Sequence, residues 1–210
     1  MKTIFAAALA LVIWFALGLQ LLLSVRWSLA HHGDVLHGVW MYFAFFTVLT
    51  NLLAALTLSM PLLAPRSAPG RCFARPGVIS GVAVYLAVVG IVYHALLRQL
   101  WHPQGWQALA DALLHDAAPA LFLVHWWLHV PRGALHWRVL GYWCLYPIGY
   151  FGYVLLRGAF TRFYPYPFLD VAHLGYAQVF VNAAAMLAGF VALGALFVAL
   201  KRVTPVRVAA

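Results

Sequence analysis

A chain of 210 residues in which 66% are hydrophobic and only 8% charged is too apolar for a water-soluble domain; the balance is that of a polytopic helical membrane protein. Thirteen basic residues against four acidic ones give +9, which in a soluble domain would point to nucleic acid. Here the basic residues are scattered through short loops and mark topology instead, and the continuous, non-alternating apolar runs exclude a β-barrel.

The predicted fold is all-α, a single domain with a bundle of six transmembrane helices. Lys2 precedes an apolar run that predicts the first helix over 4–25. A signal peptide is the rival reading, since Ser28-Leu29-Ala30 resembles a cleavage site, but the run is longer than a usual signal core. A short loop with His31, His32, Asp34 and His37 follows, then a helix over 39–60. Pro61, Pro65 and Pro69 mark a loop carrying Arg66, Arg71 and Arg75. The third helix is predicted over 77–100, opening with Gly77 and Gly81 at the spacing that lets helices approach closely. Pro103 and Gly105 break the chain before a fourth helix over 106–130. A fifth over 137–156 contains Pro147 and Gly149, which predict a kink. The stretch Tyr164 to Asp170, YPYPFLD, is too rich in proline for helix, and the last helix is predicted over 173–200. Cys72 and Cys144 lack metal-type spacing and read as free thiols.

Six spans put both ends on one side. That side carries Lys2, Arg66, Arg71, Arg75, Arg132, Arg138, Lys201, Arg202 and Arg207; the other carries only Arg26, Arg98, Arg157 and Arg162. The excess of basic residues predicts cytoplasmic termini. All four acids (Asp34, Asp111, Asp116, Asp170) and seven of the ten histidines then fall toward the outer side. Thr47 lies 13 residues before Met60, and His115 lies 14 or 15 before His129 or Val130. At 1.5 Å per residue both are roughly 20 Å from the inner boundary, so they can meet if their helices are neighbours. Asn182 and His94 come out slightly farther outward, and Asp170 at the lip.

Several residues carry chemistry in this setting. Thr47, Thr50 and Asn51 share a helix face that hydrocarbon would reject. They can simply hydrogen-bond neighbouring backbone, or one threonine can be a nucleophile with Asn51 as an oxyanion donor. His115 suits general-base work near neutrality, or a structural tie between helices. Asp111 stands four residues before it, on the same helix side. YPYPFLD is an interfacial aromatic turn or a lip over a site, with Asp170 or His173 orienting a base or touching a polar head. His125 and His129 have a spacing that can bind metal, but no acidic or cysteine ligand accompanies them and they lie among Trp126, Trp127 and Arg132, which favours interfacial snorkelling. No metal and no cofactor is expected.

FFTVLTN (Phe45 to Asn51), LLHDAAP (Leu113 to Pro119) and YPFLD (Tyr166 to Asp170) occur in that order. Together they resemble the androgen-induced-gene family of membrane hydrolases and its bacterial membrane-protein relatives, over about residues 40–182. The resemblance implies a six-helix intramembrane hydrolase of lipid-like esters, the eukaryotic members hydrolysing fatty acid esters of hydroxy fatty acids. It implies Thr47 as nucleophile and His115 as its partner. Two departures stand: the gap from histidine to proline is four residues, one shorter than in the eukaryotic pattern, and Thr50 stands where that pattern has an acid. The expected supporting or substrate-binding residues are Thr50, Asn51, Asp116, Asp170, His173, Asn182 and His94. The expected setting is the bacterial inner membrane, with the lipid bilayer and an ester substrate as partners. The alternative is a non-catalytic membrane protein that binds or transports a lipid, small molecule or metal.

Overall fold

The computed structural model describes residues 2–202; Arg207, counted in the charge balance above, lies outside them. The described residues are helical throughout, joined by short loops and without a β-strand. Among the described residues, six helical stretches are long and apolar enough to cross a membrane: Thr3–Ala30, Phe46–Leu63, Pro76–Leu97, Gly105–His129, Val139–Thr161 and Val171–Arg202. The chain forms two compact units, one ending at Pro131 and one starting at Arg132.

In the first unit, α1 (Lys2–Ala30) buries one stripe of small and aliphatic residues, Ala6, Leu9, Ala10, Ile13, Ala16 and Leu17. Their three- and four-residue spacing is the stripe by which a helix packs on its neighbours. Here those neighbours include α2 (Val35–Tyr42), α3 (Phe46–Leu63) and α7 (Ala118–His129). Ile4, Leu11, Phe15 and Leu22, on the remaining faces, stay exposed. Polar side chains fasten α1 to its neighbours: the Tyr42 hydroxyl donates to the Leu17 carbonyl at 3.1 Å, and Ser24 to the Gly38 carbonyl at 2.8 Å. Gln107 Nε2 donates to Gln20 Oε1 at 2.8 Å, tying α1 to α6 (Gly105–Ala112).

The helix predicted over 39–60 is two helices. Between α2 and α3 the backbone leaves helical geometry, and Phe45 is extended (φ −88°, ψ 130°) as the N-cap of α3. Neither proline nor glycine marks this break. It falls within Tyr42-Phe43-Ala44-Phe45-Phe46, where aromatic residues weaken local helix preference and packing decides. Thr47 is thereby placed in the first turn of α3. At its other end α3 runs through Pro61 to Leu63, and α4 (Ala68–Phe73) follows, capped by the Ser67 hydroxyl.

α5 (Pro76–Val92) is the most enclosed helix and packs against α3 and α7. It ends in a π-helical turn, Tyr93–Leu97, in which the Arg98 N–H reaches the Tyr93 carbonyl at 2.8 Å. A second π-helical turn, Leu113–Ala117, joins α6 to α7. Pro119 accounts for it. Proline has no N–H to offer the carbonyl four residues back, which is His115, and its ring crowds that carbonyl. The helix widens by one residue there instead of breaking. The displaced His115 carbonyl faces Gly90 of α5, where a Cβ would lie 3.5 Å from it.

In the second unit, α8 (Val139–Thr161) runs through Pro147 and packs against α9 (Val171–Arg202). The YPYPFLD stretch is not α-helical, but it contains one 3-10 turn, Pro167–Leu169. α9 is interrupted early: Gly175 has φ 73°, a conformation that favours glycine, so a short first segment meets the long helix at a kink.

Candidate functional site

The two π-helical turns, the end of α6 and the start of α3 bring four polar side chains together inside the first unit. Thr47 Oγ1 lies 3.2 Å from His115 Nε2. On the other side of the imidazole, Nδ1 has two acceptors, the Asp111 carbonyl at 3.0 Å and Asp111 Oδ1 at 3.2 Å. Because both are acceptors, Nδ1 carries the proton in the neutral ring, and Nε2 presents its lone pair to the threonine hydroxyl. Asp111 Oδ2 accepts a hydrogen bond from the Tyr93 hydroxyl. The Tyr93 ring in turn stacks on the imidazole, with centroids 4.1 Å apart and 17° between planes. Thr47, Asp111 and Tyr93 are each less than a tenth exposed, and the His115 side chain is 16% exposed.

Asn51 is fully buried one turn beyond Thr47. Its Nδ2 donates to the Thr47 carbonyl at 2.9 Å and to the Leu114 carbonyl at 3.2 Å. Both amide hydrogens are therefore committed, and Asn51 fastens α3 to the π-helical turn that carries His115. It does not offer the donor to an oxyanion that its type suggested. Its Oδ1 faces no donor among the described residues. Thr50 is fully buried, so of the two threonines Thr47 is the one shown against the histidine.

Asp116, expected as a supporting residue, turns away from His115. It pairs with His94 Nε2 at 3.1 Å, both side chains being nearly half exposed. His94 Nδ1 is held by the Gly90 carbonyl at 2.9 Å. One pair of side chains thus lies outside the cluster and one pair, Asp111 and Tyr93, inside it. Tyr93 was not singled out from sequence. Its signal is positional: it stands immediately before His94, on the helix that packs against the LLHDAAP segment.

Asp170, His173 and Asn182 belong to the second unit. Asp170 caps the start of α9, accepting from the Ala172 N–H at 2.9 Å and the His173 N–H at 3.4 Å, while its Oδ2 lies 2.6 Å from His173 Nδ1. Burial works against its charge, but the His173 hydrogen bond and charge, with the two backbone N–H groups, outweigh it and hold the carboxyl below the usual carboxylate range. Asn182 Nδ2 donates to the Phe168 carbonyl at 2.9 Å and pins the 3-10 turn to α9. Tyr166 and Phe168 stack within that turn, 5.3 Å apart and nearly parallel.

His125 does not snorkel outward. It is 6% exposed and stacks face to face on His129 at 4.0 Å. Parallel rings do not converge their in-plane lone pairs on one ion, and the described residues contain no group of three or more His, Cys, Asp or Glu able to hold a metal. Comparison of the chain with protein-family models, with curated proteins and with solved structures finds no match.

Proposed function

We propose that this chain is a multi-pass membrane hydrolase of lipid-like esters, with Thr47 as nucleophile and His115 as general base. The observation that carries the reading is the threonine hydroxyl 3.2 Å from an imidazole nitrogen whose lone pair is aimed at it by the acceptors on the opposite nitrogen. A hydroxyl and a base in that relation, enclosed in an apolar bundle and away from bulk water, are the parts an acyl transfer needs. The ordered FFTVLTN, LLHDAAP and YPFLD segments, which resemble the androgen-induced-gene family, support the same class.

The excess of basic residues on one side, nine against four, supports cytoplasmic termini and a site in the outward half of a bacterial inner-membrane protein. The substrate enters sideways from the lipid. Thr47 Oγ attacks the acyl carbonyl as its proton passes to His115 Nε2. The tetrahedral intermediate collapses, the carbon–oxygen bond to the leaving alcohol breaks, and that alcohol takes the proton from His115. Water then attacks the acyl-threonine ester, His115 accepts its proton, and the acid is released as the proton returns to Thr47 Oγ. Thr47 lies in the first turn of α3, so the positive end of that helix faces the developing oxyanion.

The test is a fluorophosphonate probe applied to membranes holding the protein, with p-nitrophenyl butyrate hydrolysis followed in parallel. A covalent adduct on Thr47 is expected. Thr47→Ala loses the adduct and lowers hydrolysis by about 10³-fold or more, while Thr47→Ser retains both in part. Undiminished labelling of Thr47→Ala, or an adduct mapped to Thr50, overturns the assignment.

A further inference from the structure

Resting on that reading, we infer that Asp111 and Tyr93 are positioning residues that act in series on His115: Asp111 compensates the charge His115 gains with the threonine proton, and Tyr93 fixes Asp111. Neither residue touches the place where substrate would react; their action passes through the imidazole.

Four observations converge. Asp111 Oδ1 stands 3.2 Å from His115 Nδ1, the nitrogen opposite the one that faces Thr47. Its other carboxylate oxygen takes the Tyr93 hydroxyl, so both oxygens are directed and the carboxylate cannot swing away. The same tyrosine covers the imidazole face at 4.1 Å and fixes the ring plane. Asp111 and Tyr93 are 7% and 6% exposed, in a place where an ionised carboxylate is retained only if something stabilises its charge.

The division of labour differs from that of a simple triad. The Asp111 backbone carbonyl, 3.0 Å from Nδ1, already selects the tautomer in which Nδ1 bears hydrogen. The carboxylate is therefore not needed to aim the lone pair. What it adds is negative charge beside the imidazolium formed when Thr47 loses its proton. An amide in its place keeps the tautomer and the ring position but cannot supply that charge.

Kinetics on p-nitrophenyl butyrate in detergent-solubilised protein separate these roles. Asp111→Asn is expected to lower kcat about 100-fold with KM unchanged, as for loss of assistance to a positioned base. Tyr93→Phe keeps the ring stack, loses only the hydroxyl, and is expected to lower kcat about tenfold. The double variant is expected to be no slower than Asp111→Asn alone, because Tyr93 acts through Asp111. A merely structural role would instead lower the yield of folded protein, read by size-exclusion chromatography and thermal unfolding, and leave kcat per folded molecule intact.

Asp111→Asn that keeps kcat within twofold overturns the inference, and so do losses in the two single variants that multiply in the double. If Asp111→Asn does not fold, Tyr93→Phe decides, and wild-type kcat in that variant overturns it. Thr47→Ala separates the two levels. If it abolishes turnover while Asp111→Asn does not impair it, only this inference fails. If Thr47→Ala turns over normally, the hydrolase reading itself fails.

Discussion

Replacing Asn51 by alanine removes two hydrogen bonds at once, to the Thr47 and Leu114 carbonyls, one on each of the elements that carry the threonine and the histidine. Hydrogen bonds between membrane helices contribute about 1 kcal/mol each, so Asn51→Ala is expected to cost about 1–3 kcal/mol. Turnover falls with it, because the bond to Leu114 helps hold the start of α3 against the turn that carries His115. Asn51→Asp has the same shape but sets a carboxylate against two carbonyls and should be worse on both counts. Thermal unfolding in detergent, paired with ester hydrolysis, checks the order wild type, Asn51→Ala, Asn51→Asp; an aspartate variant as stable as wild type contradicts the bonding described. At this scale much was legible before the structure. Depth counting put Thr47 and His115 at one level, because rise per residue is fixed. Asp111 was legible as an acid on the histidine's side of the helix, four residues before it. The pairing of Asp116 with His94 was not, because it depends on how two separate helices pack.

The elements that matter most are those that depart from regular helix. Pro119 could have been read as the cause of a distortion around His115, since the lost N–H falls four residues back. The break before Thr47 could not, because no residue there forbids helix and the extended Phe45 is imposed by packing. The turn between α8 and α9 lies between these cases: its prolines exclude α-helix, but the 3-10 turn at Pro167–Leu169 depends on the Asn182 bond to Phe168, which local sequence does not reveal. The cap that follows it gives a pH dependence. Asp170 is held below the usual carboxylate range in the fold, so its contribution to the start of α9 is fully present above the unfolded value of about 3.9 and is lost as pH falls through the lower folded value. Hydrogen exchange of the amides at 171–175, corrected for intrinsic pH dependence, should lose protection as pH falls below about 3.9. Asp170→Asn should show weaker protection at neutral pH and no such step. Equal protection of wild type and variant across that range would show that the cap does not stabilise α9.

At the scale of the whole molecule, the six apolar helices follow from composition and run length alone, and their termini differ from expectation by only a few residues except where packing intervenes. The proposed orientation rests on charge asymmetry, which is independent of helix packing and can be tested independently. Cys72 lies exposed in α4, within the loop that carries Arg66, Arg71 and Arg75 and is assigned to the cytoplasm. Gln104, exposed at the start of α6, belongs to a loop assigned to the outside. A membrane-impermeant maleimide should therefore leave Cys72 unmodified in intact cells and modify it once the membrane is permeabilised. A cysteine introduced by Gln104→Cys, in a chain with Cys72→Ala and Cys144→Ala, should react in intact cells without permeabilisation. The opposite pattern would invert the molecule. The Thr47–His115 pair would then open toward the cytoplasm and a different pool of lipid esters, while its internal geometry, and the roles argued for Asp111 and Tyr93, would be untouched.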